Sequence, residues 1–504
     1  MRTTTKSGRF SSRPRLALLL LAVVCAQAAG AEDYWAYSYQ NVDVMTAGAS
    51  SHAVSLAHSV ARFDSALSRI LQLSDARVPT RIYELPREQV KQLLGAEDVT
   101  SFTFSGYEVT VITNPGSDRA EPYWGALFGY TGGLLISDRA SRYPYWFLNG
   151  APQLFAHAEF GSDRIKTGGL VPGFVYTLQK GPAVPMRTLL RLRGDDPQLK
   201  NAKYLEMFEA ESWYLAREIF VEGKFRPEFV HYFGMMRNGE SEDAAFAASF
   251  KISYEELDKF LVSAMRDPAH IFVVPVPPEP AAHDEPRQLS AAETMARLAA
   301  LSLQRQHRAD ALKLSSEALQ LEPTNETALR VLARSSGQDG NFSGALAAVD
   351  RLGALSSPSA AGLTDSGEVL SQLAHVVSQK QASIGADAPA LVQRAKEAYE
   401  RAMSLDGEYL RSWAGLAYLY ASQRDVEGAK GLLPRAQPVM EKHIYSGALA
   451  RALATMCAQT GQSDGAFLFG EYWRDDAITL ADRDLAVAFI SRLKTPPKTA
   501  GGTQ

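Results

Sequence analysis

Small residues that recur at a fixed interval of 34 constrain residues 290–495 more tightly than any other feature of this chain. Ala311 and Ala345 lie 34 apart, with Val349 beside the second. Ala395, Tyr399 and Ala402 return as Ala429, Leu433 and Ala436, again at 34. Pro323 closes the first unit, and Trp413, Leu416, Ala417 and Tyr420 stand at helical spacing between two of the alanine sets. Alanine at every contact turn lets two helix axes approach closely, and an aromatic fills the groove against the next pair. The pattern therefore predicts stacked helix pairs. The interval from Ala345 to Ala395 is 50, so 356–387 is expected to hold an insertion and a poorly matching helix. A divergent fifth unit is expected over 445–467 and a capping helix over 483–493.

The run Trp413-x-x-Leu416-Ala417-x-x-Tyr420, the paired alanines and the closing Pro323 resemble the tetratricopeptide (TPR) repeat. The resemblance implies an all-α array with a groove that takes a protein or peptide partner, with Trp413 and Tyr420 as groove residues.

The opposite end of the chain reads as an export signal. Arg2, Lys6, Arg9, Arg13 and Arg15 precede the apolar run 16–24, and small residues offer cleavage after Ala28 or Ala31. The apolar run is too short to span a bilayer. Val24 before Cys25 disagrees with a lipidated cysteine. Removing 1–31 takes away five positive charges and no negative ones, moving the formal charge from −4 to −9. A periplasmic or extracellular protein follows, and only Cys457 survives, so no internal disulfide is available. With 46% hydrophobic and 21% charged residues the chain is ordinary folded protein. It lacks the basic, aromatic-interleaved surface of a nucleic-acid binder. Pro-rich 273–289 is expected to link an α+β domain at 32–272 to the helical array at 290–495, with a tail at 496–504.

Within 32–272, aromatic 34–37 and apolar 77–85 predict strands, and the stripe Ala53, Leu56, Val60, Phe63, Leu67, Ile70 predicts a helix. Residues 100–114 alternate as a hairpin about Gly106. Helices are expected at 86–94, 202–220, 227–237, 241–250 and 252–261, the last with a Ser253/Glu256 capping box. Segment 127–160 is Gly-rich at its start, and three glycines within 129–133 disfavour a helix by roughly 1 kcal/mol each.

Pro144-x-Trp146-x-x-Asn149-Gly150 and the apolar flanks of 129–133 resemble the zinc region of gluzincin-type, peptidase-MA-like metallopeptidases. Phe208-Glu-Ala-Glu-Ser-Trp-Tyr-Leu and the ending 245–261 resemble later parts of the same domain. The resemblance implies zinc ligands where this chain has Gly129, Gly133 and Asn149, with Tyr130 between and Trp146 and Gly150 retained around them. Glycine has no ligating side chain and an amide is a poor zinc donor. The expectation is therefore a degenerate domain with a vestigial site at Gly129, Tyr130, Gly133, Trp146, Asn149 and Gly150. No catalytic residue, metal or cofactor is assigned. Glu206, Glu209 and Glu211 read as a solvated helix face, and His157 and Glu159 as surface. An alternative reading is a hydrolase using residues around 146–159, and a third treats 33–270 as an unrelated α+β module.

Overall fold

The computed structural model describes residues 33–494, apart from 72–76, 96–99, 106, 116–122, 138–142, 182, 195, 265–269, 279–283, 444–445 and 478–479. The expected leader, Cys25, Gly106 and the tail 496–504 fall outside these.

The front half runs β1 (Tyr34–Tyr39), β2 (Val42–Ala47), α1 (Ser50–Leu71), β3 (Thr80–Glu84), α2 (Arg87–Leu94), β4 (Ser101–Phe104) and β5 (Val109–Thr113). Then come α3 (Trp124–Ser137), α4 (Tyr145–Ala156), β6 (Glu159–Phe160), β7 (Arg164–Thr167), α5 (Pro172–Lys180), α6 (Met186–Arg191) and α7 (Ala202–Phe220). It continues through α8 (Arg226–Arg237), α9 (Glu242–Ser249), α10 (Tyr254–Ala264), β8 (Phe272–Pro275) and β9 (Arg287–Gln288). The capping box of α10 forms: the Ser253 N–H donates to Glu256 and the Glu256 N–H to the Ser253 hydroxyl.

Six strands make one mixed sheet in the order β4-β5-β3-β2-β1-β9, with β2, β3 and β5 mutually parallel. All five residues of β5 are buried, as in a strand covered on both faces. Val42, Val44, Ile82, Val109 and Val111 face the core that α1 and α3 share. Their alternate neighbours Met45, Tyr83 and Ile112 face the opposite way, against Val90 and Leu93 of α2 and against Leu289 and Leu301. A period of two thus divides each strand between two cores.

Leu301 belongs to α11 (Ala291–Gln304), the first helix of the array. The segment expected to be a bare linker carries β8, which pairs with β7, and β9, which pairs with β1. Apolar contact and edge pairing therefore join the two halves through one shared core.

The array continues with α12 (Arg308–Leu321), α13 (Glu326–Gln338), α14 (Phe342–Gly353), α15 (Ala360–Ser378), α16 (Ala388–Leu405), α17 (Leu410–Gln423), α18 (Val426–Lys442), α19 (Gly447–Gln459), α20 (Ser463–Asp476) and α21 (Leu480–Lys494). First helices α11, α13, α15, α17 and α19 stack on one another, and each later one also packs on the second helix of the preceding pair. Ala311, Ala318, Ala345, Ala395, Ala402, Ala429 and Ala436 all lie on second helices and are fully buried. That is where close axis approach needs a small side chain. The region 356–387 holds α15, of 19 residues, and a connector at 379–387 longer than the other within-pair turns, so the extra length is shared between helix and loop. Cys457 is buried, which pushes its thiol up to about 11 and leaves it a packing residue. Among the described residues no helix is long and apolar enough to cross a membrane.

Candidate functional site

Gly125, Gly129, Gly132 and Gly133 sit inside a continuous helix, α3, against the expected cost of glycine in helices. Tertiary packing is the reason. A Cβ on Gly129 would stand 2.3 Å from Cγ1 of Val111, and one on Gly133 2.3 Å from Cγ1 of Val109. The glycines form the flat side on which α3 meets β4 and β5, and no other residue fits that spacing. Tyr130 points into the front core, where burial and the Asp64 carboxylate push its hydroxyl upward.

The second half of the resembled motif lies on α4, which packs directly against α3. Trp146 is fully buried against Phe229 and Phe233. A Cβ on Gly150 would fall 2.1 Å from the Ser212 carbonyl oxygen, so α4 and α7 touch backbone to backbone. The Asn149 Oδ1 is buried with no hydrogen-bond partner. Gly129 and Gly133 face β5, whereas Gly150 faces α7. Gly129 and Gly133 thus close α3 onto the sheet, and Gly150 closes α4 onto α7. Gly129→Ala is expected to lower stability by roughly 1–3 kcal/mol despite its better helix propensity, because Val111 has nowhere to move. Urea unfolding of the variant checks this, and an unchanged midpoint would refute the packing account.

Glu211 departs from the expected solvated face. It is 7% exposed, its Oε1 accepts the Val184 N–H at 2.8 Å, and its Oε2 is buried without a partner. Burial, with a smaller push from Asp258, raises its carboxyl to about 8. His157 is half-buried and accepts the Trp124 indole N–H at 3.1 Å. Glu159 pairs with Lys166 on the surface. No group of three or more His, Cys, Asp or Glu among the described residues is placed to hold a metal ion.

A cavity of about 550 Å³ opens beside α1, lined by Tyr39, His58, Arg62, Asp64, Arg69 and Arg77 among others. Its cations serve the protein itself. Arg62 donates to the carbonyls of Gly161, Ser162 and Pro277, Arg69 to that of Pro275, and Arg77 grips Asp64. These contacts brace the β6–β8 region against α1.

Trp413 and Tyr420 are 6% and 5% exposed and lie against α18, the partner helix of their own pair. The Trp413 N–H donates to the Gly407 carbonyl, with Arg435 over the ring. Both belong to the hydrophobic core of the array, where packing accounts for them.

The first helices instead present a charged cluster that the sequence reading missed. Asp365 of α15 is 1% exposed and accepts from Arg330 of α13 and Arg411 of α17, each at 2.6 Å. Arg334 stands 3.9 Å away, and Arg411 also grips Glu368. Burial alone would raise the Asp365 carboxyl, but Arg411, Arg330 and Arg334 together hold it down to about 2. Its signal in the sequence is an Asp four residues before Val369, on the helix side that carries Val369 into the core, where a charge requires partners.

The β4–β5 hairpin and the sheet meet the same helices. Gln304 donates to the hydroxyls of Thr103 and Thr110 at 3.2 and 3.1 Å, and Arg297 pairs with Asp43 at 3.1 Å. Tyr107, beside the hairpin turn, packs on the array's core.

No protein-family model matches the sequence, and no curated protein matches it. Among solved structures the chain is similar to a thermophilic TPR protein of Thermus thermophilus. The two share 22% identity over 41% of this chain and 100% of that one, at a TM-score of 0.32. A likeness of that TM-score supports no inference about this chain, whose helical-repeat region stands on its own packing.

Proposed function

We propose that this chain is an exported, non-catalytic binding scaffold whose helical array holds a protein partner. The observation that carries the proposal is the row of first helices, stacked so that Arg330, Arg334, Asp365, Glu368 and Arg411 converge from three repeats. Stacked helix pairs offer an extended face made of many separate side chains, which suits a polypeptide better than a small molecule. The front domain is then a degenerate peptidase-MA-like module kept as a structural partner of the array. That part rests on the motif around Trp146 and Gly150. The close packing of Gly129 and Gly133 on β5 weighs against a surviving zinc cleft.

The test uses the mature chain, residues 32–504. Elemental analysis is expected to find no stoichiometric zinc, and incubation with unfolded casein no cleavage. Cross-linking in the native envelope fraction is expected to join a protein partner to helices α13, α15 or α17. Turnover that disappears on substitution within 146–159 would instead establish the hydrolase reading.

A further inference from the structure

The cavity beside α1 holds more positive charge than its own contacts neutralise. Arg77 is matched, because its Nε donates to both carboxylate oxygens of Asp64, at 2.7 and 2.9 Å. Arg62 is 8% exposed, yet its partners are main-chain carbonyls. Its Nε donates to Pro277 at 3.2 Å, and its Nη2 to Gly161 and Ser162 at 2.5 and 3.1 Å. Arg69 likewise donates from Nη1 to the Pro275 carbonyl. A carbonyl accepts a hydrogen bond without carrying a charge. Three guanidiniums of the lining therefore face one carboxylate, and two positive charges stay uncompensated among the described residues. Stripping water from a charge is costly, so buried charges are ordinarily paired.

The geometry brings these two charges together. Arg62 and Arg69 stand two turns apart on one face of α1, with Ser65 between them. The carbonyls that hold them, Pro277 and Pro275, are two residues apart, which in extended chain is roughly 7 Å. Each guanidinium is fixed on one side and keeps donors on the other: both N–H groups of Nη1 in Arg62, and Nε and Nη2 in Arg69, have no acceptor among the described residues. Such a fork matches the oxygens of a phosphate in shape and in charge. At about 550 Å³ the space exceeds a bare oxyanion, and hydroxyl and amide groups of Ser65, Ser68, Gln40 and Asn41 line it. Its aliphatic lining among the described residues is confined to Ala61, Pro277 and Pro278, too little for an acyl chain. We propose that this cavity binds a phosphate monoester with a hydroxylated body, the phosphate between Arg62 and Arg69 and the body against Ser65, Gln40 and Asn41.

The site goes beyond the scaffold reading and stands whether or not the array holds a protein. Arg69 is exposed and Arg62 buried, so the positive charge runs from the surface inward along α1. A phosphate monoester reaches such a site from two sources, as a free sugar phosphate or as the headgroup of a phosphorylated lipid. Binding also ties the start of the chain's front half to its end, because the same arginines hold residues 161–162 and 275–277. The bound anion relieves the repulsion between two neighbouring guanidiniums, so the occupied protein unfolds at higher temperature than the empty one.

The whole mature chain is titrated calorimetrically with glucose 6-phosphate, glucose and inorganic phosphate. It is also sedimented with phosphatidylcholine vesicles that contain or lack phosphatidylinositol 4-phosphate. Glucose 6-phosphate is expected to bind one per chain, inorganic phosphate about tenfold more weakly, and glucose not at all. Arg69→Gln, whose amide still donates to the Pro275 carbonyl, is expected to weaken glucose 6-phosphate about tenfold at an unchanged unfolding midpoint. Should that variant lose its cooperative transition, Ser65→Ala, which leaves the bracing contacts intact, decides by the same comparison with a loss of about threefold. Vesicle binding that requires the phosphorylated lipid, with glucose 6-phosphate silent, keeps the proposal and assigns the phosphate to a headgroup. Silence of every phosphate, glucose or inorganic phosphate as tight as the sugar phosphate, or equal affinity in folded Arg69→Gln overturns it.

Discussion

Asp365→Ala is expected to lower the unfolding free energy by about 3 kcal/mol at neutral pH, near the low end of what breaking a buried ion pair costs. The substitution leaves Arg330 and Arg411 facing each other across the space that Asp365 filled. Their side chains are 21% and 17% exposed, so water relieves part of the repulsion, and Arg334 at 38% is relieved more. The same carboxyl sets an acid limit. Its folded value of about 2 lies below the ordinary 3.8, so its stabilisation is complete above pH 4 and disappears as pH falls through 2. Urea unfolding of wild type and variant at neutral pH measures the first effect. A difference under about 0.5 kcal/mol, the range of neutral surface substitutions, would show that the arginines need no central anion.

Glu211 acts in the opposite direction along the pH axis. Its folded value of about 8 is above the ordinary 4.5, so between those values the native chain holds a proton that the unfolded chain releases. Stability therefore falls as pH rises through this window, with a slope of up to about 1.4 kcal/mol per unit, and levels off above pH 8. Asp258 is raised by burial, and His52 by its hydrogen bond to Glu84, and both slope the same way. The variant Glu211→Gln isolates the main contributor, because an amide still accepts the Val184 N–H without carrying charge. Denaturation at pH 5 and pH 9 is expected to show wild type losing several kcal/mol more than Glu211→Gln across this interval. Parallel losses in the two proteins would place the titration elsewhere.

Local patterns made a good part of the fold legible. The alanines spaced by 34 fall on second helices at full burial, the β4–β5 alternation forms its hairpin, and Ser253 caps α10 through Glu256. Each depends on residues within one turn, one hairpin or one helix pair. The site was less legible. Trp413 and Tyr420 look like ligand contacts because aromatics are good ligand contacts, yet close packing of α17 on α18 buries the same residues. Glu211 looks solvated because Glu206 and Glu209 flank it, and only the approach of 184–186 closes it off.

Sequence by itself determined the helix-pair period, the long amphipathic helices α1 and α7 of the front half, and the lack of ligating side chains at Gly129 and Gly133. Those follow from spacing and side-chain chemistry, which need no distant neighbour. Tertiary structure alone decided that α3 is a helix, that α11 covers the second face of the sheet, and that Tyr107 packs on the core of the array. Each of these contacts joins residues outside a common local element, and in the last two cases residues from opposite halves of the chain. No local propensity encodes such a meeting, and the shared core that holds the halves together sets their positions.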